Sequence, residues 1–181
     1  MNFGLVERKQ VKIRICGISG MGVILTSIIL GKAAIYDNKN AIQTQSYGAE
    51  QRGAKVRGDV IISDAETIIY PEIDQADILI AFSQEAFDFY SPFTKEDSQL
   101  FLNSDLITSP PEKETVYTIP AIKFASELHN DKVVNMILLG ALIRKTKIIS
   151  KDSIIKSISE TVPESYKEIN LQAFEIGYEY I

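Results

Sequence analysis

Residues 14–23, with the sequence RICGISGMGV, decide the fold of this chain. They predict a buried strand over residues 11–16 that runs into a glycine-rich turn and then into a helix over residues 21–36. Glycines in such a turn let the backbone bend tightly and let a ligand approach without meeting a Cβ atom. Because the free N–H groups at a helix N-terminus attract negative charge, the stretch predicts a site for an anion such as a phosphate.

The spacing of these glycines matches the dinucleotide-binding fingerprint poorly. That fingerprint has glycines at its first, third and sixth positions, whereas Ser19 occupies the third position here and Gly20 comes one residue late. It also needs an acid at the end of the second strand, but the second strand predicted here, residues 41–47, ends without one. A nicotinamide or flavin site is therefore disfavoured. Two interpretations of the turn remain, an anion site and close packing of the helix on the sheet.

Composition limits the class of protein. The chain has 181 residues, 45% hydrophobic and 24% charged, which is typical of a soluble globular protein with a sizeable core. A net charge of −5 gives no electrostatic support to a nucleic-acid or membrane partner. The only cysteine, Cys16, cannot hold an iron–sulfur cluster, which takes about four ligands. Since no internal disulfide is possible and residues 1–10 lack a signal-peptide core, we expect a cytoplasmic protein.

Strands and helices alternate over the first two thirds of the chain, and the last third is helical. Further strands are predicted over residues 54–63, 67–70, 77–82, 100–103 and 116–119, and helices over residues 84–90, 121–128, 133–144, 151–159 and 164–180. This order predicts an α/β three-layer sandwich with a mostly parallel sheet and a Rossmann-like first strand–turn–helix. Ligands of such sheets bind beyond the carboxyl ends of the strands. We therefore expect residues 17–22 and the polar segment 46–53 to share one rim.

Both of these segments resemble signatures of the gamma subunit of the 2-oxoacid:ferredoxin oxidoreductases. The first signature, close to Gly-x-Gly-Gly-Gln-Gly, is represented here by GISGMG at residues 17–22. The second, close to Ser-Tyr-Gly-x-Glu-x-Arg-Gly-Gly, is represented by SYGAEQRGA at residues 46–54. The resemblance extends over about residues 12–140 and includes Asn135. Three residues depart from the family pattern: Ser19, Met21 and Ala54.

The resemblance implies an activity that this chain performs only within a complex. Such enzymes convert a 2-oxoacid and coenzyme A to acyl-coenzyme A and carbon dioxide, with electrons passing to ferredoxin. The second signature is most similar to the 2-oxoglutarate branch, and the pyruvate, branched-chain and indolepyruvate branches stay open. Thiamine diphosphate and the iron–sulfur clusters are then expected in partner alpha and beta subunits, with delta as a further candidate. Residues 1–181 would form a single domain of the gamma type, with no cofactor bound by this chain alone.

The turn and the resemblance together single out candidate cofactor-binding residues at a site between subunits, with the coenzyme A phosphates as the ligand. They are Gly17, Ser19, Gly20, Met21, Gly22, Tyr47, Gly48, Glu50, Arg52 and Gly53. Met21 cannot supply the hydrogen bond of the family glutamine. Glu50 and Arg52 have a second interpretation as a solvated ion pair, which would contribute less than ~1 kcal/mol.

No catalytic or metal-binding residue is predicted in this chain. Two other functions remain open on the sequence. One is a free-standing nucleotide-binding protein, which the polar glycine turn favours. The other is a purely structural subunit that binds no small molecule.

Overall fold

The order of strands and helices follows the sequence pattern closely. The computed structural model describes residues 10–47, 54–64 and 67–181. Its strands are β1 (Val11–Ile18), β2 (Asn40–Tyr47), β3 (Lys55–Ser63), β4 (Ala76–Ala81), β5 (Thr94–Asn103) and β6 (Val116–Ile119). Its α-helices are α1 (Val23–Tyr36), α2 (Gln84–Tyr90), α3 (Ala121–Glu127), α4 (Val134–Thr146), α5 (Lys151–Thr161) and α6 (Glu164–Tyr180).

These strands form one sheet in the order β2-β3-β1-β4-β5-β6. The β1–β4, β4–β5 and β5–β6 pairs are parallel. Strand β3 is antiparallel to both of its neighbours, β1 and β2, so it alone runs against the other five described strands. The mostly parallel α/β sheet predicted from the sequence is confirmed.

The two faces of the sheet are covered very differently. Helices α1, α3, α4, α5 and α6 contribute to one large core over the first face. On the second face, the seven-residue helix α2 packs over Leu79 and Leu102 through Phe87. A smaller cluster on that face includes Ile61 of β3 and Ile73 of the connection to β4. The chain therefore has three layers, of which the third is thin.

Helices α4 and α6 pack unusually closely through two glycines. A Cβ atom added at Gly140 would overlap the backbone of α6, and one added at Gly177 would overlap the backbone of α4 at Ile137. This contact draws α4 into the centre of the helical layer, where residues 135–143 are all buried. As a result, the first turn of α4 lies beside the start of α1.

Two predictions about the second face are wrong. Residues 67–70 form no strand, because both edges of β3 are already paired with β1 and β2, so a returning strand would have no free edge. Strand β5 begins at Thr94 rather than at residue 100, and its pairing with β4 contains a register shift near the start. Among the described helices, none combines the length and apolar character needed to cross a membrane.

Candidate functional site

Backbone hydrogen bonds hold the glycine-rich turn in place. The N–H of Ser19 donates to the carbonyl of Ala54 at 3.1 Å, and the N–H of Met21 donates to the carbonyl of Ile18 at 3.2 Å. Gly20 and Gly22 have φ angles of 95° and 79°, in the left-handed region that side chains disfavour. Both positions therefore require glycine for the backbone path alone.

The three glycines of the turn differ in the space that surrounds them, so they have different roles. A Cβ atom at Gly17 would lie 3.0 Å from the Val23 side chain, and one at Gly22 would lie 2.5 Å from the Asn135 amide nitrogen. At Gly20, no atom of the described residues lies within 4 Å of the Cβ position. Gly17 and Gly22 thus permit close packing, as one of the two interpretations expects. Gly20 instead faces open space that a ligand can enter.

The N-terminus of α1 supplies a partial positive charge beside this space. Gly22 is the N-cap, with no side-chain cap and no acid in the first turn. Within the described residues, no group accepts a hydrogen bond from the N–H of Val23, Ile24 or Leu25. Unpaired N–H groups and the helix dipole together favour an anion.

A pocket of about 360 Å³ opens at this point. It is lined by Ile18, Ser19, Gly20, Gly22, Val23, Ile24, Leu25 and Val56. None of these described side chains is charged, so within this part of the chain the attraction for an anion comes from the backbone. A second pocket of about 310 Å³ lies on the other side of Gly20, where Met21 contributes to its wall together with Lys132.

A buried asparagine from α4 braces the turn. The Nδ2 group of Asn135 donates to the Gly22 carbonyl at 3.4 Å and to the Thr26 hydroxyl at 3.2 Å. Asn135 is 1% exposed, and its Oδ1 atom has no hydrogen-bond partner among the described residues. A buried amide oxygen without a partner is costly and calls for an explanation. The sequence signal for this residue is one polar side chain inside the otherwise apolar run of residues 133–143.

Of the ten predicted site residues, six lie within the described part of the chain. The structure brings Gly17, Ser19, Gly20, Met21 and Gly22 together in the turn. The backbone of Tyr47 ends β2 opposite Val56, and β1 ends where Ile18 pairs with Lys55. The ends of β1 and β2 therefore lie on one rim, as expected. Four further predicted residues lie outside the described residues: Gly48, Glu50, Arg52 and Gly53.

Sequence reasoning missed a buried ion pair on the second face of the sheet. Arg14 of β1 lies opposite Asp59 of β3 and donates through Nε and Nη2 to its two carboxylate oxygens, at 2.9 and 2.8 Å. Nη2 also donates to the Ile73 carbonyl at 2.7 Å. Burial would lower the pKa of Arg14, but the hydrogen bond and charge of Asp59 outweigh it and raise that pKa. The Arg14 side chain is buried although it is charged, because strands flank β1 on both edges and layers cover both faces.

Cys16 is fully buried, as expected of a small apolar residue. Burial raises the pKa of its thiol far above the ordinary value, despite the nearby Arg14 guanidinium. The thiolate that a metal or an electrophile requires is therefore strongly disfavoured.

The fold and the turn define an α/β protein whose candidate ligand site lies at the start of its first helix. Residues 12–180 match the family model described as pyruvate ferredoxin/flavodoxin oxidoreductase. The chain belongs to this family, and the resemblance noted in the sequence is confirmed.

Individual relatives match over nearly their whole length. The chain is 44% identical to the KorC subunit of 2-oxoglutarate synthase from Methanocaldococcus jannaschii, over 99% of this chain and 97% of that protein. It is 32% identical to the PorC subunit of pyruvate synthase from Methanothermobacter marburgensis, over 94% and 97%. A solved structure, the gamma subunit of a keto/oxoacid ferredoxin oxidoreductase from Geobacter sulfurreducens, is 38% identical with a TM-score of 0.82 and covers 93% of this chain and 96% of that one.

Proposed function

We propose that this chain is the gamma-type subunit of a 2-oxoglutarate:ferredoxin oxidoreductase. The complex would decarboxylate 2-oxoglutarate oxidatively, form the coenzyme A thioester and pass the electrons to ferredoxin. The choice of 2-oxoglutarate as the substrate rests on sequence identity. The chain is 44% identical to a 2-oxoglutarate synthase subunit and 32% identical to a pyruvate synthase subunit. Both relatives match over nearly the same length, so the difference does not come from coverage.

Partner subunits would carry the redox and thiamine chemistry. Thiamine diphosphate, when bound, stabilises the carbanion left by decarboxylation, and iron–sulfur clusters need about four thiolate ligands. The sequence contains one cysteine, and its side chain is buried in β1. The clusters would therefore be held by the alpha, beta or delta subunits, and thiamine diphosphate is expected there as well, with this chain working as a single domain against them.

The role of this chain in the site would be to hold the phosphates of coenzyme A. The N–H groups of Val23 and Ile24 would donate to the phosphate oxygens, and the missing side chain at Gly20 would leave room for them. Residues 47–53 would complete the site from the neighbouring strand end, with Arg52 as their cation. This arrangement binds and orients the acyl acceptor and performs no proton or electron transfer itself.

Co-purification under exclusion of oxygen tests the subunit role. A tagged chain recovered from its native extract should bring down polypeptides that contain thiamine diphosphate and iron–sulfur clusters. Recovery of the chain alone would refute the role. In that case, titration of the isolated chain with NAD, FAD, ATP and coenzyme A would test the free-standing nucleotide-binding alternative.

A further inference from the structure

A third pocket, in the helical layer, adjoins the start of α1. It has a volume of about 280 Å³ and lies between the first turn of α1, the segment before α4 and the junction of α5 with α6. Leu25 lines both this pocket and the one at the glycine turn, whereas Lys132 lines both this pocket and the one beside Met21. The three pockets therefore adjoin one another around the first turn of α1, and this one is here called the Lys132 pocket.

The Lys132 pocket carries one positive charge. Lys132 is the one charged residue among the described residues that line it. Lys132 is exposed, and within the described ranges it forms no ion pair. Asp131 is also exposed, but it lines the neighbouring pocket and solvent screens its charge. Glu164, at the start of α6, is paired with Lys167 at 2.6 Å. The walls of the Lys132 pocket that the structure describes therefore favour an anionic group.

An amide oxygen and an aromatic ring lie in the same pocket. Asn170 is 7% exposed, and its Nδ2 group donates to the Tyr166 carbonyl at 2.7 Å, which leaves its Oδ1 atom without a partner among the described residues. A largely buried amide oxygen of this kind favours a hydrogen-bond donor on a ligand. Tyr166 also lines the pocket and is 48% exposed, so its ring offers a surface on which a planar base can stack. An ammonium group, an amide oxygen and an aromatic ring together suit a purine nucleotide.

We propose that the Lys132 pocket holds the 3′-phosphoadenosine end of coenzyme A, with Lys132 at the 3′-phosphate. This inference rests on the proposed function, which assigns the diphosphate of the same molecule to the N-terminus of α1. In coenzyme A, one ribose ring separates the diphosphate from the adenine and the 3′-phosphate. The Lys132 pocket begins equally close by, at Leu25 in the first turn after Gly22. The amino group of adenine would donate to Oδ1 of Asn170, and the base would lie against Tyr166.

Dephospho-coenzyme A, which lacks only the 3′-phosphate, tests the contact with Lys132. Dissociation constants of coenzyme A and dephospho-coenzyme A are measured by calorimetry on the anaerobic complex, assembled with the wild-type chain or with Lys132→Met. We expect Lys132→Met to weaken binding of coenzyme A at least about fivefold and binding of dephospho-coenzyme A less than about twofold. The effect on coenzyme A should shrink at high salt. Lys113→Met, at an exposed position before β6, is the matched control and should change neither constant.

Amide hydrogen exchange locates the site without any variant. Adenosine 3′,5′-bisphosphate, added to the wild-type complex, should slow exchange over residues 130–133 and 162–170. Equal effects of Lys132→Met on the two ligands, no effect on either ligand, or unchanged exchange over these residues overturns this inference and leaves the proposed function standing. If the chain assembles with no other subunits, or the wild-type complex binds no coenzyme A, the proposed function fails and this inference fails with it.

Discussion

The side-chain amide of Asn135 donates to the Gly22 carbonyl, 113 residues away in the chain. Through this bond the first turn of α4 holds the residue at which α1 begins. The same amide donates to Thr26, one turn into α1. The glycine turn is therefore positioned from two sides, by Ala54 immediately before β3 and by Asn135 of the helical layer.

Replacement of Asn135 tests whether its hydrogen bonds to Gly22 and Thr26 stabilise the turn. Asn135→Ala removes both hydrogen bonds and leaves the Gly22 carbonyl with the Thr26 hydroxyl, at 2.9 Å, as its side-chain donor. We expect the free energy of unfolding of the isolated chain to fall by about 1–3 kcal/mol. Denaturant unfolding measures the change, and Gln172→Ala, on the exposed face of α6, should change it by less than about 0.5 kcal/mol. Equal effects at the two positions would contradict the role assigned to Asn135.

Substitution by alanine at Gly20 and Gly22, the two glycines with positive φ angles, should lower the free energy of unfolding by unequal amounts. The Cβ atom of Gly20→Ala would meet no atom of the described residues within 4 Å, so the substitution adds backbone strain only. This strain should lower the free energy of unfolding by about 1–2 kcal/mol. Gly22→Ala adds the same strain and also displaces the Asn135 amide, so its loss should be at least about 1 kcal/mol larger. Thermal and denaturant unfolding of both variants decide the order. A larger loss for Gly20→Ala would mean that the turn is packed differently from this description.

The close contact of α4 and α6 predicts two strongly destabilising substitutions. Gly140→Ala and Gly177→Ala each force the helices apart, and we expect losses of about 3 kcal/mol or more. Gly31→Ala in α1 is the control, since its Cβ would lie an ordinary 3.5 Å from that of Gln43. There, alanine should stabilise the chain by about 0.4–1 kcal/mol through helix propensity and the unfolded state. Similar effects at Gly140 and Gly31 would rule out the tight contact.

Asp37 should make stability depend on pH in the acid range. Its carboxylate accepts hydrogen bonds from the Ser150 N–H at 2.5 Å and from the Ser150 and Ser153 hydroxyls at 2.6 and 2.5 Å. Burial acts to raise the pKa of Asp37, but these hydrogen bonds outweigh it, so the pKa in the folded state is lowered. The stabilisation is therefore present above the unfolded-state pKa of about 3.9 and is lost as pH falls through the folded-state value.

Asp37→Asn should accordingly destabilise the chain at pH 7 and lose that effect in acid. The free energy of unfolding of both proteins, measured between pH 7 and pH 2, should converge as the carboxylate of the unmodified chain is protonated. Asp88→Asn, at an exposed position on α2, is the control. A difference between wild type and Asp37→Asn that is independent of pH would contradict the argument.

Local pattern predicted the turn, the helix that follows it and the mostly parallel sheet, because glycine spacing and hydrophobic alternation are local properties. It did not predict that β3 runs against the other strands, since strand direction depends on the path of the whole chain. It gave no signal for the ion pair of Arg14 with Asp59, because only the register of two strands brings these residues opposite each other. The contact between Gly140 and Gly177 has no local signal, because each glycine is explained only by the facing helix.

We infer that this chain serves a complex that uses 2-oxoglutarate. The most direct measurement is the rate of ferredoxin reduction by the anaerobically purified complex, with coenzyme A and with 2-oxoglutarate, pyruvate, 2-oxoisovalerate or indolepyruvate in turn. We predict that 2-oxoglutarate gives a value of kcat/KM at least tenfold above that of the other three and that reduction stops without coenzyme A. Faster turnover of pyruvate, or coenzyme-A-independent reduction, would contradict the assignment.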